Sequence, residues 1–387
     1  MLLGECHLHH YTAIAEKFVP NGKVIDVREF GNGNINDTYL VTTDINEEPC
    51  FVLQRINTHV FQHPKLIMQN MRVFTEHMRH RAAEEGYHWF MPRVVGAIAG
   101  QDYYLDREER FWRAISYVPG ARSFDTITNL DHAREVGYAL GMFQYLIHDV
   151  PVESLADTLE GFHITPRYLQ NFDKIFSNNG HHSSAEVRYG LDFIAARRAW
   201  ARVLEAAKES GKLRLRPVHG DPKVNNVMIE ESTGRAISLV DLDTVKPGLI
   251  HYDIGDCLRS GCNPLGEETE EWEAVQFEPD IAEAILTGYL TQACRFLTEA
   301  DYEYLFDSIR LIAFELGVRF FTDYLAGNVY FKVKHPEHNL LRALVQFKLA
   351  RSIESHEQDI RKIIHNIATA HAFRSTGQES GDVTRVF

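Results

Sequence analysis

Between two apolar runs, the chain carries Val218-His219-Gly220-Asp221-Pro222-Lys223-Val224-Asn225-Asn226-Val227-Met228-Ile229. Asn226 follows Asp221 by five residues, and Asp241 follows Asn226 by fifteen, at the end of the apolar run Ala236–Val240. Asp243 stands two residues further on. Polar side chains held between apolar strands cost burial free energy, so a set at fixed offsets calls for a use. Phosphoryl transfer would use these. It needs one carboxylate beside the accepting hydroxyl and hard oxygen ligands for the Mg²⁺ that bridges nucleotide phosphates. Asp221 is the candidate base, and Asn226 and Asp241 are the candidate metal ligands. The co-substrate expected is ATP. A second chemistry uses the same stretch. His219, Asp221, Asp241 and His251 could form a metallo-hydrolase centre, with a tightly bound transition metal and no dependence on ATP.

A nucleotide also needs backbone amides close to its phosphates, and glycine permits that approach. Phe30-Gly31-Asn32-Gly33-Asn34-Ile35-Asn36 offers Gly31 and Gly33 between two expected strands, Val24–Phe30 and Tyr39–Thr43. A plain hairpin turn has the same composition. The third strand, Cys50–Ile56, should carry a cation for the phosphates, paired to an acid on the next helix. Arg55 and Glu76 are the candidates, provided that Arg55 rather than Gln54 faces inward. The helix is announced by Pro64 and by Ile67, Met71, Phe74 and Met78, spaced four, three and four. Ala114-Ile115-Ser116-Tyr117-Val118-Pro119-Gly120 reads as the joint where adenine would sit, with Tyr117 stacking on the base or serving as a core aromatic.

After Pro119-Gly120 the pattern turns helical. Val136, Leu140, Phe143 and Ile147 form a stripe, and Thr165-Pro166 marks a helix start. Ser184–Lys208 reads as one long amphipathic helix. A strand-and-loop island runs from Leu213 to about Gly255, and Trp272 to His371 is almost all helical. The fold class is therefore α+β, with two lobes. A small antiparallel-sheet lobe, residues 1–118, binds nucleotide. A mostly helical lobe, residues 119–387, carries catalysis and the acceptor.

The 387 residues carry 40 Lys+Arg and 54 Asp+Glu, a net charge of −14. That balance repels nucleic acid and anionic membranes, so neither is an expected partner. Cys6, Cys50, Cys257, Cys262 and Cys294 are few and irregularly spaced, which suits a reducing compartment better than a disulfide framework. There is no apolar leader pattern and no run of about eighteen apolar residues. A cytoplasmic, soluble protein is the expectation.

HGDPKVNN followed by LVDLD resembles the aminoglycoside phosphotransferase/choline kinase superfamily, small-molecule kinases with a protein-kinase-like fold. The resemblance puts the catalytic base on Asp221, the metal ligands on Asn226 and Asp241, and a structural acid bracing the catalytic loop on Asp253. Two more stretches, Asn34–Tyr39 leading to Gln54–Asn57 and Arg319–Phe331, make the chain similar to bacterial N-acetylhexosamine 1-kinases from about Ile14 to His371. That likeness implies phosphorylation of the anomeric hydroxyl of N-acetylglucosamine or N-acetylgalactosamine. Arg319 and Tyr330 would hold the sugar. Where the pattern has a histidine touching the sugar, this chain has Asn34, which is shorter and does not titrate. Aminoglycosides, choline and homoserine remain alternative acceptors with the same chemistry. Read as residues alone, Arg319 with Asp323 at i+4 is equally a surface ion pair, and Tyr330 equally a core side chain.

Overall fold

The computed structural model describes residues 10–31, 35–179 and 184–378. Its N-terminal part is an antiparallel sheet of six strands. They are β1 (Val24–Glu29), β2 (Asp37–Thr43), β3 (Cys50–Arg55), β4 (Val94–Val95), β5 (Tyr104–Leu105) and β6 (Phe111–Ser116). The strand order is β1-β2-β3-β6-β4, with β5 also paired to β6. One face is covered by Ile14, Ala15, Phe18 and Val19, which pack on Tyr39, Leu53 and Trp112. Helix α1 (Pro64–Glu84) covers the other, burying Ile67, Met71, Phe74 and Met78 as the spacing predicts. Period-two alternation then decides which side chain of β3 reaches which face. Phe51 and Leu53 belong to the first face. Gln54 points to the α1 side, where it meets Arg113 of β6 and Arg113 meets Met71.

The rest is largely helical. Helix α2 (Leu130–Ile147) follows the short strand β7 (Ala121–Arg122). After it come α3 (Thr165–Asn179), α4 (Ala185–Arg197) and α5 (Val203–Glu209). The single helix expected over Ser184–Lys208 is therefore two. Arg198 pairs with Asp173 of α3, and the intervening turn buries Ala201, so tertiary contacts override the helical periodicity. The island holds β8 (Arg216–Val218), β9 (Val227–Glu230), β10 (Ala236–Leu239) and β11 (Lys246–Gly248). β7, β9 and β10 form one small sheet, and β8 and β11 pair separately. The island ends earlier than Gly255, because α6 (Ile250–Gly261) has already begun. Helices α7 (Pro279–Ala293), α8 (Glu299–Glu303), α9 (Leu305–Leu325), α10 (His338–Ser355) and α11 (Glu357–Gln378) complete the chain. α2 and α7 touch backbone to backbone. A Cβ at Gly137 would lie 1.8 Å from the Ile285 carbonyl oxygen, so only glycine fits there. Among the described residues no helix is long and apolar enough to cross a membrane.

Candidate active site

The Val218–Ile229 segment runs from β8 through a loop and a short turn of 3₁₀ helix into β9. Asp253 of α6 braces the start of this loop, as expected. Its carboxylate accepts the backbone N–H of His219 at 2.9 Å and of Gly220 at 2.7 Å, and the Gln144 amide at 2.9 Å. Burial still pushes Asp253 up to about 6, partly offset by those donors. Gly220 has φ +88°, and a Cβ there would lie 2.8 Å from the Thr244 carbonyl oxygen. The glycine is thus required twice over. His219 is fully buried, and its Nε2 and Nδ1 meet the Val240 carbonyl at 3.1 Å and the Asp221 N–H at 3.2 Å. One ring nitrogen donates and the other accepts, so this imidazole is neutral. Burial, which pushes its pKa down to about 4, agrees.

Asp221 is half-buried beside Lys223, whose Nζ lies 3.0 Å from its Oδ2. Burial pushes the Asp221 carboxyl up, and Lys223 pulls it part of the way back. Burial equally opposes the charge on Lys223. The carboxylates of Asp221, Glu267, Asp241 and Asp256 overcome it and hold the ammonium above its ordinary range. Asn226 turns its Nδ2 to the Asp221 carbonyl at 2.7 Å, which leaves Oδ1 free as a ligand. The Asn226 carbonyl accepts Val240 N–H at 2.9 Å, bringing β10 and Asp241 alongside. Asp241 is exposed and in a left-handed conformation, φ +63°, ψ +60°, which is uncommon for a non-glycine residue and concentrates at functional sites. Desolvation by the surrounding protein, then Asp243 and Asp221, push its carboxyl up to about 7. Crowded carboxylates with a free amide oxygen are a hard-oxygen donor set that suits Mg²⁺.

Asp243 points the other way. It is buried and paired to the buried Arg113 guanidinium, and it accepts the Asn36 amide at 2.7 Å. Gln54 completes the cluster, accepting from Arg113 at 2.7 and 3.0 Å. Asn36 follows the glycine-rich turn, and its Oδ1 also holds the Asn57 N–H at 2.9 Å. This clasp fixes the turn's end of the sheet over the Asp241 segment. Gly31 has φ +75° and open space around it. Gly33 and Asn34 lie outside the described residues. Tyr117 follows β6 and sets its ring edge-on to Phe30 at 6.0 Å.

Arg319 of α9 lies among aromatic rings, within the field of Asp221. Its guanidinium sits 5.0 Å from the Phe162 ring centre, 5.2 Å from Tyr168 and 5.6 Å from Phe331. Burial opposes its charge, and Tyr168, Tyr330, Glu315 and Asp221 favour it, leaving its pKa raised. No ion pair forms with Asp323. Asp323 instead accepts the backbone N–H groups of Val329, Tyr330 and Phe331 at 2.9, 2.9 and 3.0 Å, and the Asn339 amide at 2.9 Å. Before that loop, Gly327 (φ +88°) ends α9. Its N–H bonds the Tyr324 carbonyl and the Asn328 N–H bonds the Asp323 carbonyl, a Schellman cap. Tyr330 stays partly exposed, edge-on to Phe331 at 4.7 Å.

The sequence pattern of the phosphotransferase enzyme family matches residues 26–297. The chain belongs to that family. Solved structures with similar folds include a microcompartment-associated aminopropanol kinase, at 16% identity and TM-score 0.57, covering 91% of this chain and 98% of that one. A choline kinase from Cryptosporidium parvum Iowa II is 15% identical, with TM-score 0.56, over 91% and 97%. A spectinomycin phosphotransferase in complex with ADP and spectinomycin is 12% identical, with TM-score 0.53, over 90% and 98%. The kinase-like fold of this phosphotransferase, a sheet-rich N-terminal region before a mainly helical one, is thus the fold expected from its sequence.

Two expectations need correction. The Arg55–Glu76 pair does not form in this phosphotransferase. Arg55 is bound to Asp37, its cross-strand partner on the face opposite α1, with Nε 2.8 Å from Oδ2. Glu76 is exposed and only 3.4 Å from Arg72, its neighbour one turn back. Strand parity is the reason, since it turns Gln54 to the α1 side and Arg55 away. The hydrolase constellation does not assemble either. Both nitrogens of His219 are engaged by backbone, and His251 is buried with Nε2 3.0 Å from the Asp301 carbonyl. Asn36, Arg113, Lys223, His163 and Glu315 also contribute, and none of them stood out as a candidate in the sequence. Only Lys223, two residues after Asp221, had a local signal; each of the others makes its decisive contact across more than fifty positions, with Asp243, Gln54, Gly220 or His163.

Proposed function

We propose that this phosphotransferase transfers the γ-phosphoryl group of ATP to the anomeric hydroxyl of an N-acetylhexosamine. The observation that carries the acceptor reading is Arg319. Its guanidinium makes no hydrogen bond or ion pair among the described residues, lies within a ring of Phe162, Tyr168 and Phe331, and feels Asp221. A cation so placed repels quaternary ammonium and polyamine acceptors and donates to a hydroxyl or an amide carbonyl. Aromatic walls suit the faces of a sugar ring. The nearby carboxylate Glu315 is already bonded to His163 and Thr165, so it does not offer a cationic acceptor a free partner.

In this reading Asp221 accepts the hydrogen bond of the acceptor hydroxyl, orients it for in-line attack and takes its proton late. Asn226 and Asp241 would hold Mg²⁺, which would neutralise charge on the phosphates when bound. Lys223 gives up part of its contact with Asp221 to meet the transferring group. Gly31 and Gly33 let the turn approach the phosphates, and Tyr117 borders the adenine. Arg319 and Tyr330 position the sugar, and Asn34 would bear on which sugar is preferred. An ADP-release screen over hexosamines, hexoses, choline, homoserine and aminoglycosides tests this, with phosphorus NMR to locate the new ester. A sugar 1-phosphate from an N-acetylhexosamine is expected. Faster turnover of choline or an aminoglycoside overturns the acceptor assignment.

A further inference from the structure

Gly161 and His163, in the loop before α3, both adopt left-handed backbone, with φ +79° and +63°. This double turn drives the His163 imidazole into the protein, where it is 5% exposed. Its Nδ1 lies 2.9 Å from Glu315 Oε1, and its Nε2 lies 2.7 Å from the carbonyl oxygen of Gly220. Both partners only accept, and a neutral imidazole has one N–H to give. Thr165 donates its hydroxyl to the other oxygen of Glu315 at 2.7 Å.

The Gly220 carbonyl belongs to the same peptide unit as the Asp221 N–H, and that N–H donates to Nδ1 of His219. The peptide carrying the catalytic carboxylate is therefore pinned at both ends, by an imidazole that must accept and an imidazole that must donate twice. We infer that His163 is held as an imidazolium by Glu315 and acts as a positioning residue, fixing the Gly220–Asp221 peptide and with it the direction of the Asp221 side chain. The catalytic part of this inference rests on the kinase reading above.

The charged and titratable groups around the ring agree. Glu315 faces it from α9, the charges of Asp253 and Asp256 and the ring of Tyr252 act on it from α6, and Tyr168 of α3 meets the His163 backbone. Arg319 lies one turn from Glu315 and shares its field. Burial disfavours the charged ring, and Glu315 with the Gly220 carbonyl more than offsets it, so the pKa is raised. The sign follows. Below the raised pKa both bonds are present; as pH rises through it, one N–H is lost and one of the two bonds breaks. Turnover should then fall on the alkaline side with little change in nucleotide KM.

The test uses the ¹⁵N-labelled full chain. Histidine ring NMR should show both His163 nitrogens protonated at neutral pH. The signals are identified by their loss in His163→Gln, or by contact with the Tyr252 ring if that variant does not fold. Glu315→Gln should move both the ring titration and the alkaline limb of kcat to lower pH. His163→Gln should remove that limb and lower kcat by up to about a hundredfold, the scale of a small displacement of a reacting group. A bare ring nitrogen at neutral pH overturns the inference, as does a kcat limb unmoved by Glu315→Gln. If no acceptor is turned over, the proposed function fails, and ring protonation still decides the state of His163.

Discussion

Asp221, Asn226 and Asp241 sit within 21 consecutive residues, joined by a single hairpin. Beside them, the polar cluster at the edge of the sheet draws Asn36, Gln54, Arg113 and Asp243 from four separate segments. In the first region, spacing along the chain places the groups: a five-residue step turns Asn226 back on the Asp221 carbonyl, and β9–β10 pairing delivers Asp241. In the second, strand parity and cross-strand register place them. Gln54 stands opposite Arg113 on the α1 face, and Arg55 stands opposite Asp37 on the other. Chemistry carried by one short segment survives changes elsewhere in the fold. A clasp assembled from distant segments reports instead on how the two parts of the molecule are held together.

The contrast can be broken most severely at Arg113. Arg113→Met leaves Asp243 buried without its cation and should cost about 3–5 kcal/mol of stability, read by denaturant unfolding. A loss below about 1 kcal/mol would mean that the pair behaves like an exposed one, and that the clasp does not join the sheet to the Asp241 segment. Asp221→Asn probes the local region and should do the reverse. It removes a half-buried charge that desolvation disfavours, so the unfolding midpoint should hold, while kcat falls by roughly two or more orders of magnitude. Near-normal turnover by that variant refutes the base assignment. Arg319→Gln should raise acceptor KM about tenfold, the scale of one charged hydrogen bond, and leave ATP KM unchanged. Equal rises in both would place Arg319 outside the acceptor site. The smallest effect is expected at Arg55. Arg55→Gln removes a half-exposed pair worth about 0–1 kcal/mol and should barely change nucleotide KM. A large rise there would return Arg55 to the phosphates.

The sheet, the α1 stripe and the helical character of the second part were all legible in the sequence, because periods of 2 and 3.6 are local properties of apolar spacing. The grouping of Asp221, Asn226 and Asp241 was legible for a related reason: offsets of five and fifteen residues survive folding when a single hairpin spans them. The break between α4 and α5 was not, since it depends on Arg198 finding Asp173. Nor was the face of β3. Both Gln54 and Arg55 could have pointed inward until the register with β6 placed Arg113 opposite Gln54. The same holds for His163, a lone histidine 57 positions before Gly220, whose part in the site exists only because two left-handed turns and α9 bring Glu315 and the catalytic peptide to its two nitrogens. Sequence by itself determined that Asp221, Asn226 and Asp241 share one short segment, and which periods build the sheet and the helices. Tertiary structure alone decided which cations are spent holding the fold and which stay free for a ligand, because a side chain's partner is set by the strand face and the neighbouring element it meets, and neither is written in its own surroundings along the chain.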